Sequence, residues 1–105
     1  MEILTESMFY VLMALKKQPM FGIEIADFIE HRTNGRLRIG PATLYTILAK
    51  FQKEKLILET EVEGRKRTYC ITEKGLLAYS AELERLYHCI SDAEAEEKES
   101  ENIHE

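Results

Sequence analysis

The stretch Gly40-Pro41-Ala42-Thr43-Leu44-Tyr45-Thr46-Ile47-Leu48-Ala49-Lys50-Phe51-Gln52-Lys53 decides how the rest of the chain is read. Pro41 suits the first position of a helix, where its missing N–H would be unsatisfied anyway, and Gly40 stands where the N-cap belongs. Leu44, Ile47, Leu48 and Phe51 then recur at i, i+3, i+4 and i+7, a single apolar stripe. At about 100° per residue the stripe lies opposite Ala42, Thr46, Ala49 and Lys53, with Thr43, Tyr45 and Lys50 on the flanks. That outward surface carries small, hydroxyl and basic side chains, and no acid before Glu54. Such a helix keeps one side for a core and offers the other to a polyanion.

Two helices are expected upstream. Leu4, Met8, Val11, Leu12 and Leu15 set a helix over residues 5–17, with Thr5 or Ser7 as cap and Lys16-Lys17 at the negative end of its dipole. Pro19 stops it. A second helix runs from about Gly22 to Arg32 on an inward stripe of Ile25, Phe28 and Ile29, and Thr33-Asn34-Gly35 closes it. Arg36-Leu37-Arg38-Ile39 alternates like a short half-buried strand.

Downstream the period changes. Glu59–Glu63 and Thr68–Ile71 alternate on either side of Gly64-Arg65-Lys66, which predicts a β-hairpin with a basic tip. Thr72 can cap a last helix, in which Leu76, Leu83 and Ile90 are spaced by sevens and Tyr79, Leu86 and Ala93 form the partner series. The expected division is a winged helix over 1–75, a dimerisation helix over 76–93 and a disordered acidic tail over 94–105.

The chain has 105 residues and a formal charge of −5, which suits one domain and argues against a diffuse polycation. Divided by position, the charge is +2 over residues 1–75 (twelve Lys/Arg, ten Asp/Glu) and −7 over 76–105 (two against nine). The longest apolar run, Met8–Leu15, has eight residues, far below the roughly 20 of a membrane span. Neither a signal peptide nor a membrane partner is expected, and the expected location is the cytoplasm. Cys70 and Cys89 lie nineteen apart without a CxxC pair and read as small apolar residues. His31, His88 and His104 lack partners at metal spacing, so no metal or cofactor is expected. No nucleophile–base constellation, phosphate-cradling glycine loop or HExxH appears, which counts against an enzyme.

The order H-H-H-β-β-H, mainly α with a small hairpin, predicts a winged helix-turn-helix. In such proteins the second helix of the motif enters the major groove and the wing lies on the neighbouring backbone. The candidate DNA-contacting residues are Arg38, Thr43, Tyr45, Thr46, Lys50, Lys53, Arg65, Lys66 and Arg67. Tyr45 has a structural role open to it as well, with its ring against the core and its hydroxyl within reach of a phosphate. The last helix supplies Leu76, Tyr79, Leu83, Leu86, Tyr87 and Ile90 as candidate dimer contacts, since so short a chain has little core to cover them. A winged helix used only to bind proteins is the alternative, because a fold alone does not set function.

Three segments also resemble the PadR-like transcriptional regulators. Met20-Phe21-Gly22-Ile23-Glu24-Ile25-Ala26 resembles their small-Gly-Tyr-Glu-Leu segment. Gly40-Pro41-Ala42-Thr43-Leu44-Tyr45 resembles Ser-Pro-Gly-Thr-Leu-Tyr, and Arg67-Thr68-Tyr69-Cys70-Ile71-Thr72-Glu73-Lys74-Gly75 resembles the family's exit from the wing. The resemblance spans roughly residues 4–90 and implies a homodimeric repressor of the short form, joined through one C-terminal helix and bound to double-stranded operator DNA. A small-molecule effector of unspecified identity is the expected control. The chain departs from the family at Ile23, where Tyr is usual, at Gly40 for Ser and at Lys55 for Gly; it has no Trp of the kind that stacks ligands between C-terminal helices in some members.

Overall fold

The first helix, α1 (Glu6–Lys17), begins at Thr5, whose hydroxyl accepts the N–H of Met8 at 3.2 Å. The protein, analysed as a computed structural model, is described over residues 3–64 and 66–103. After Pro19 two residues, Met20–Phe21, form a short strand β1 that leads directly into α2 (Gly22–Arg32). The remaining elements are α3 (Pro41–Lys53), β2 (Ile57–Glu63), β3 (Lys66–Ile71) and α4 (Glu73–Ile103).

The expected winged helix is present, with one addition. β3 pairs antiparallel with β2 on one side and with β1 on the other, giving a three-stranded sheet in the order β1-β3-β2. Met20 faces Tyr69 and Phe21 faces Thr68. Two residues are too few to show a period of two, so β1 carries no pattern of its own. Its effect is large: it fastens the start of α2 to the root of the wing.

Val11, Leu12, Leu15, Ile25, Ile29, Leu48, Phe51 and Ile57 are fully enclosed where the helices meet the sheet. The α3 stripe anticipated from the sequence, Leu44, Ile47, Leu48 and Phe51, is the buried face of that helix.

Two connections use left-handed residues. α2 ends at Thr33, Asn34 (φ 52°) and Gly35 (φ 79°), with the Gly35 N–H returning to the Glu30 carbonyl at 2.8 Å. The Thr33 hydroxyl donates to the Ile29 carbonyl at 2.8 Å and accepts the Leu37 N–H at 3.1 Å. Those bonds hold residues 36–39 as an irregular connection and not as the strand their alternation suggests. α3 ends in a Schellman arrangement: the Leu56 N–H reaches the Phe51 carbonyl at 2.9 Å and the Lys55 N–H reaches Gln52 at 3.1 Å, with Lys55 at φ 62°.

The last helix corrects two expectations. Residues from Glu94 onward, read as a disordered tail, are helical through Ile103. Alanine and glutamate are good helix formers, no Gly or Pro interrupts the segment, and Glu94 and Lys98 stand at i, i+4 in the favourable order. The second correction concerns Tyr79, read as a dimer contact. It is buried in its own subunit, its ring stacked on Phe9 with centroids 4.9 Å apart. Leu83 and Leu86 are half-buried against the same core, whereas Leu76, Tyr87 and Ile90 remain exposed. Every residue from Tyr87 to Glu99 is exposed.

Candidate nucleic-acid interface

The outward face of α3 is free of carboxylates along its length. Thr43, Tyr45, Thr46 and Lys53 are exposed on it. Thr46 returns its hydroxyl proton to the Ala42 carbonyl at 2.9 Å, which leaves its oxygen as an acceptor. The N-cap, Gly40, offers no side-chain oxygen to the N–H groups of the first turn. Those groups and the helix dipole therefore present positive potential at the end of α3 that carries Thr43.

Tyr45 leans toward α2. Its side chain crosses Gly22, where an added Cβ would stand 2.7 Å from the phenolic oxygen. Gly22 is thus the residue that admits Tyr45, although Tyr45 stays 53% exposed. Beyond it lies a cleft of about 350 Å³ between the start of α2 and β3, lined by Phe21, Gly22, Ile23, Tyr45, Lys66, Arg67 and Tyr69.

The wing is less basic than its tip suggests. Lys66 sits over the Phe21 ring, 5.3 Å from the centroid. Arg67 is ion-paired to Glu59 at 3.2 Å, and Glu63 faces Lys66 across the hairpin. Arg65, also expected to contact DNA, falls outside the described residues. Tyr69 is 3% exposed, and burial, followed by the nearby Glu59 carboxylate, pushes its phenol above the ordinary value. It remains a protonated donor.

Not all the candidate residues gather on this face. Arg38 precedes α3 and is paired with Glu30 at 3.1 Å while staying well exposed. Lys50 turns to the opposite flank, where it is half-buried and lines a cavity of about 270 Å³ with Leu4, Met8, Phe51, Glu54, Leu56, Lys74 and Ala78. At that end α3 is fastened to the start of α4. The Thr72 hydroxyl lies 2.8 Å from the Lys55 carbonyl and 3.0 Å from that of Leu56, and Lys74 Nζ donates to the Glu54 carbonyl at 3.0 Å.

Gly22 and Tyr69 stand in segments that resemble the family's but had no role assigned to them from the sequence, and β1 was not anticipated. Gly22 also heads an otherwise regular helical stripe, where a missing side chain marks a close approach. Among the described residues no group of His, Cys, Asp and Glu could hold a metal ion, and no helix is long and apolar enough to cross a membrane.

Comparison with known proteins gives a consistent picture. The family model described as the transcriptional regulator PadR-like family matches residues 11–81. An uncharacterized protein of Lysinibacillus sphaericus is 31% identical over 77 residues, which are 70% of each chain. An uncharacterized 37.1 kDa protein in transposon TN4556 of Streptomyces fradiae is 38% identical over 65 residues, 62% of this chain, which spans only 18% of that protein's length. A transcriptional regulator from Clostridium thermocellum superposes with TM-score 0.75 at 26% identity, over 84% of this chain and 89% of that one. Bacillus subtilis PadR in complex with operator DNA has the same fold over 72% of this chain and 46% of its own (TM-score 0.64, 20% identity). The chain belongs to the PadR-like family of transcriptional regulators.

Proposed function

We propose that the protein is a sequence-specific DNA-binding repressor that works as a homodimer, with α3 in the major groove and the wing against the adjacent backbone. The observation that carries this reading is the acid-free face of α3, where Thr43, Thr46 and Lys53 stand outward and Tyr45 leads across to Lys66 and Arg67. Arg38 extends the basic surface at the N-terminal side. The operator complex of Bacillus subtilis PadR, a protein of the same fold, supports it by likeness.

The dimer reading rests on α4. Its exposed stretch from Tyr87 to Glu99 has no core of its own subunit to lie against. Isolated helices of that length are marginal in water, so a second copy of the helix is the natural cover. An effector that lowers operator affinity has a physical route through the junction of α3 and α4. A small molecule that displaces the Thr72 and Lys74 bonds tilts one helix relative to the other.

The test is a titration of the full chain against a duplex from the DNA upstream of its own coding region, at several salt concentrations. Binding that weakens steeply with salt is expected, because each phosphate neutralised contributes about −0.9 to the log–log slope. A triple substitution of Lys53, Lys66 and Arg67 to Gln should abolish the complex and leave the fold intact. Salt-insensitive binding, or an unaffected triple variant, overturns the proposal in favour of a protein-interaction module.

A further inference from the structure

We propose that the cleft between the start of α2 and β3 is a seat for one phosphodiester of duplex DNA, held by the hydroxyls of Tyr69 and Tyr45 and the ammonium of Lys66. The inference rests on the DNA-binding reading above and adds a defined contact away from the groove-facing helix.

Tyr69 is the central observation. Its side chain is almost wholly enclosed, it lines the cleft, and its hydroxyl makes no hydrogen bond to another described residue. The ring is enclosed, but the hydroxyl is not among the buried polar atoms left without a partner, so it keeps an opening to solvent. Here the direction left for the hydroxyl is the cleft. Tyr45 lines the same cleft and is steered over it by the bare Cα of Gly22.

The charges around the cleft suit a single negative charge. Arg67 is occupied by Glu59, and Glu24 turns its carboxylate back to the Phe21 N–H at 2.8 Å. Lys66 has no carboxylate partner among the described residues and is held over Phe21 by its ring. The N-cap of α2, Phe21, supplies no side-chain oxygen, so the first-turn N–H groups add positive potential at the same point. A phosphodiester carries one charge and offers two acceptor oxygens to the two phenols. The cleft also adjoins the Tyr45 flank of α3, so a duplex lying on α3 carries its backbone past it.

The experiment measures equilibrium binding of the full chain to the upstream duplex by fluorescence anisotropy across a salt series. Tyr69→Phe removes one oxygen and keeps the ring; it should weaken binding about tenfold with an unchanged salt slope, since a neutral donor releases no counterion. Lys66→Ala, at an exposed position, should weaken binding and reduce the slope by about 0.9. Neutral methylphosphonates placed singly along the duplex should reveal one position that weakens the parent but weakens Tyr69→Phe no further. Parental affinity in Tyr69→Phe, or losses that add at every methylphosphonate position, overturns the seat while leaving the DNA-binding reading in place. A parent that binds no duplex overturns both.

Discussion

The phenolic oxygen of Tyr45, on the flank of α3, lies over the bare Cα of Gly22 at the head of α2, where a Cβ would come within 2.7 Å of it. Glycine is usually explained by backbone freedom, but Gly22 carries no left-handed φ. It is required because another side chain passes over it.

Gly22→Ala separates stability from binding. The atom in the way is the tip of a half-exposed ring that can swing outward, so the fold should lose less than about 1 kcal/mol. The hydroxyl of Tyr45 should leave its place, and affinity for DNA should fall by a factor similar to that of Tyr45→Phe. The double variant should be no weaker than either single one. Anisotropy titrations with parallel thermal melts check both halves, and additive losses would show that the two residues act independently.

Gly75→Ala should behave in the opposite way. A Cβ there overlaps the backbone carbonyl oxygen of Leu56 and meets the Ile71 side chain, at Cγ1, at 2.7 Å, and the Leu56 backbone cannot give way. The Gly75 N–H also bonds the Thr72 hydroxyl at 3.1 Å, inside the junction of α3 and α4. We expect a loss of about 3 kcal/mol in denaturant titrations, from overpacking at a fixed contact.

Lys55 occupies a left-handed position, φ 62°, at the exit of α3. A side chain there costs about 1 kcal/mol relative to glycine, partly offset by the freedom glycine has in the unfolded chain. Lys55→Gly should therefore raise stability by about 0.5 kcal/mol, read as a higher urea midpoint with an unchanged slope. The Schellman bonds from Leu56 and Lys55 should persist, so a lower midpoint would show that the lysine contributes more than its backbone costs.

The contrast among these glycine positions shows what the sequence could convey. The α3 stripe, the cap at Thr5, the hairpin and the cap at Thr72 are local, and spacing alone revealed them. The place of Lys55 was legible as a departure from a family pattern, and its positive φ explains why that pattern has glycine. Tyr69 and β1 were hidden because both depend on partners far along the chain: Met20 pairs with Tyr69 across almost fifty residues. Arg67 was legible as a cation but not as one already engaged by Glu59, since the acid lies across a hairpin. The helical tail is not legible from charge alone, because the helix propensity of its Ala and Glu residues outweighs their repulsion.

Among the described residues Glu82 is the one carboxylate buried within α4, and Arg85 donates to it from Nε at 3.1 Å as well as from Nη2. The hydrogen bond from Arg85 holds the Glu82 carboxyl below its ordinary value of 4.5, helped by the Leu4 N–H and opposed by burial. Below the ordinary value the native state binds fewer protons than the unfolded one, so the stability is fully present above that value and is lost as pH falls through the lower value of the folded state. Arg85→Met should lower the urea midpoint at neutral pH, because it leaves the buried Glu82 carboxylate without its charged donor. The cost should shrink in acid, once pH has fallen through the depressed value of the native carboxyl. Urea midpoints at neutral pH and in acid check this; an equal loss at both would assign the effect to packing.

The exposed apolar residues of α4 indicate where a second copy should bind. Tyr87 and Ile90 are 64% and 54% exposed, and Leu77 is 62% exposed, whereas Leu83 is half-buried against its own subunit. A helix of 31 residues is about 46 Å long; Leu77 stands near its start, and Tyr87 and Ile90 stand at its middle, ahead of the glutamate-rich end. A substitution at Leu83 would damage the core and the proposed interface together, and so would not separate them. Tyr87→Asp with Ile90→Asp touches no buried contact of the subunit. We expect that pair to give a monomer in sedimentation with nearly unchanged secondary structure. Its affinity for a duplex with two half-sites should fall sharply, and its affinity for a single half-site should hold. A dimer of unchanged mass would remove this stretch of α4 from the interface.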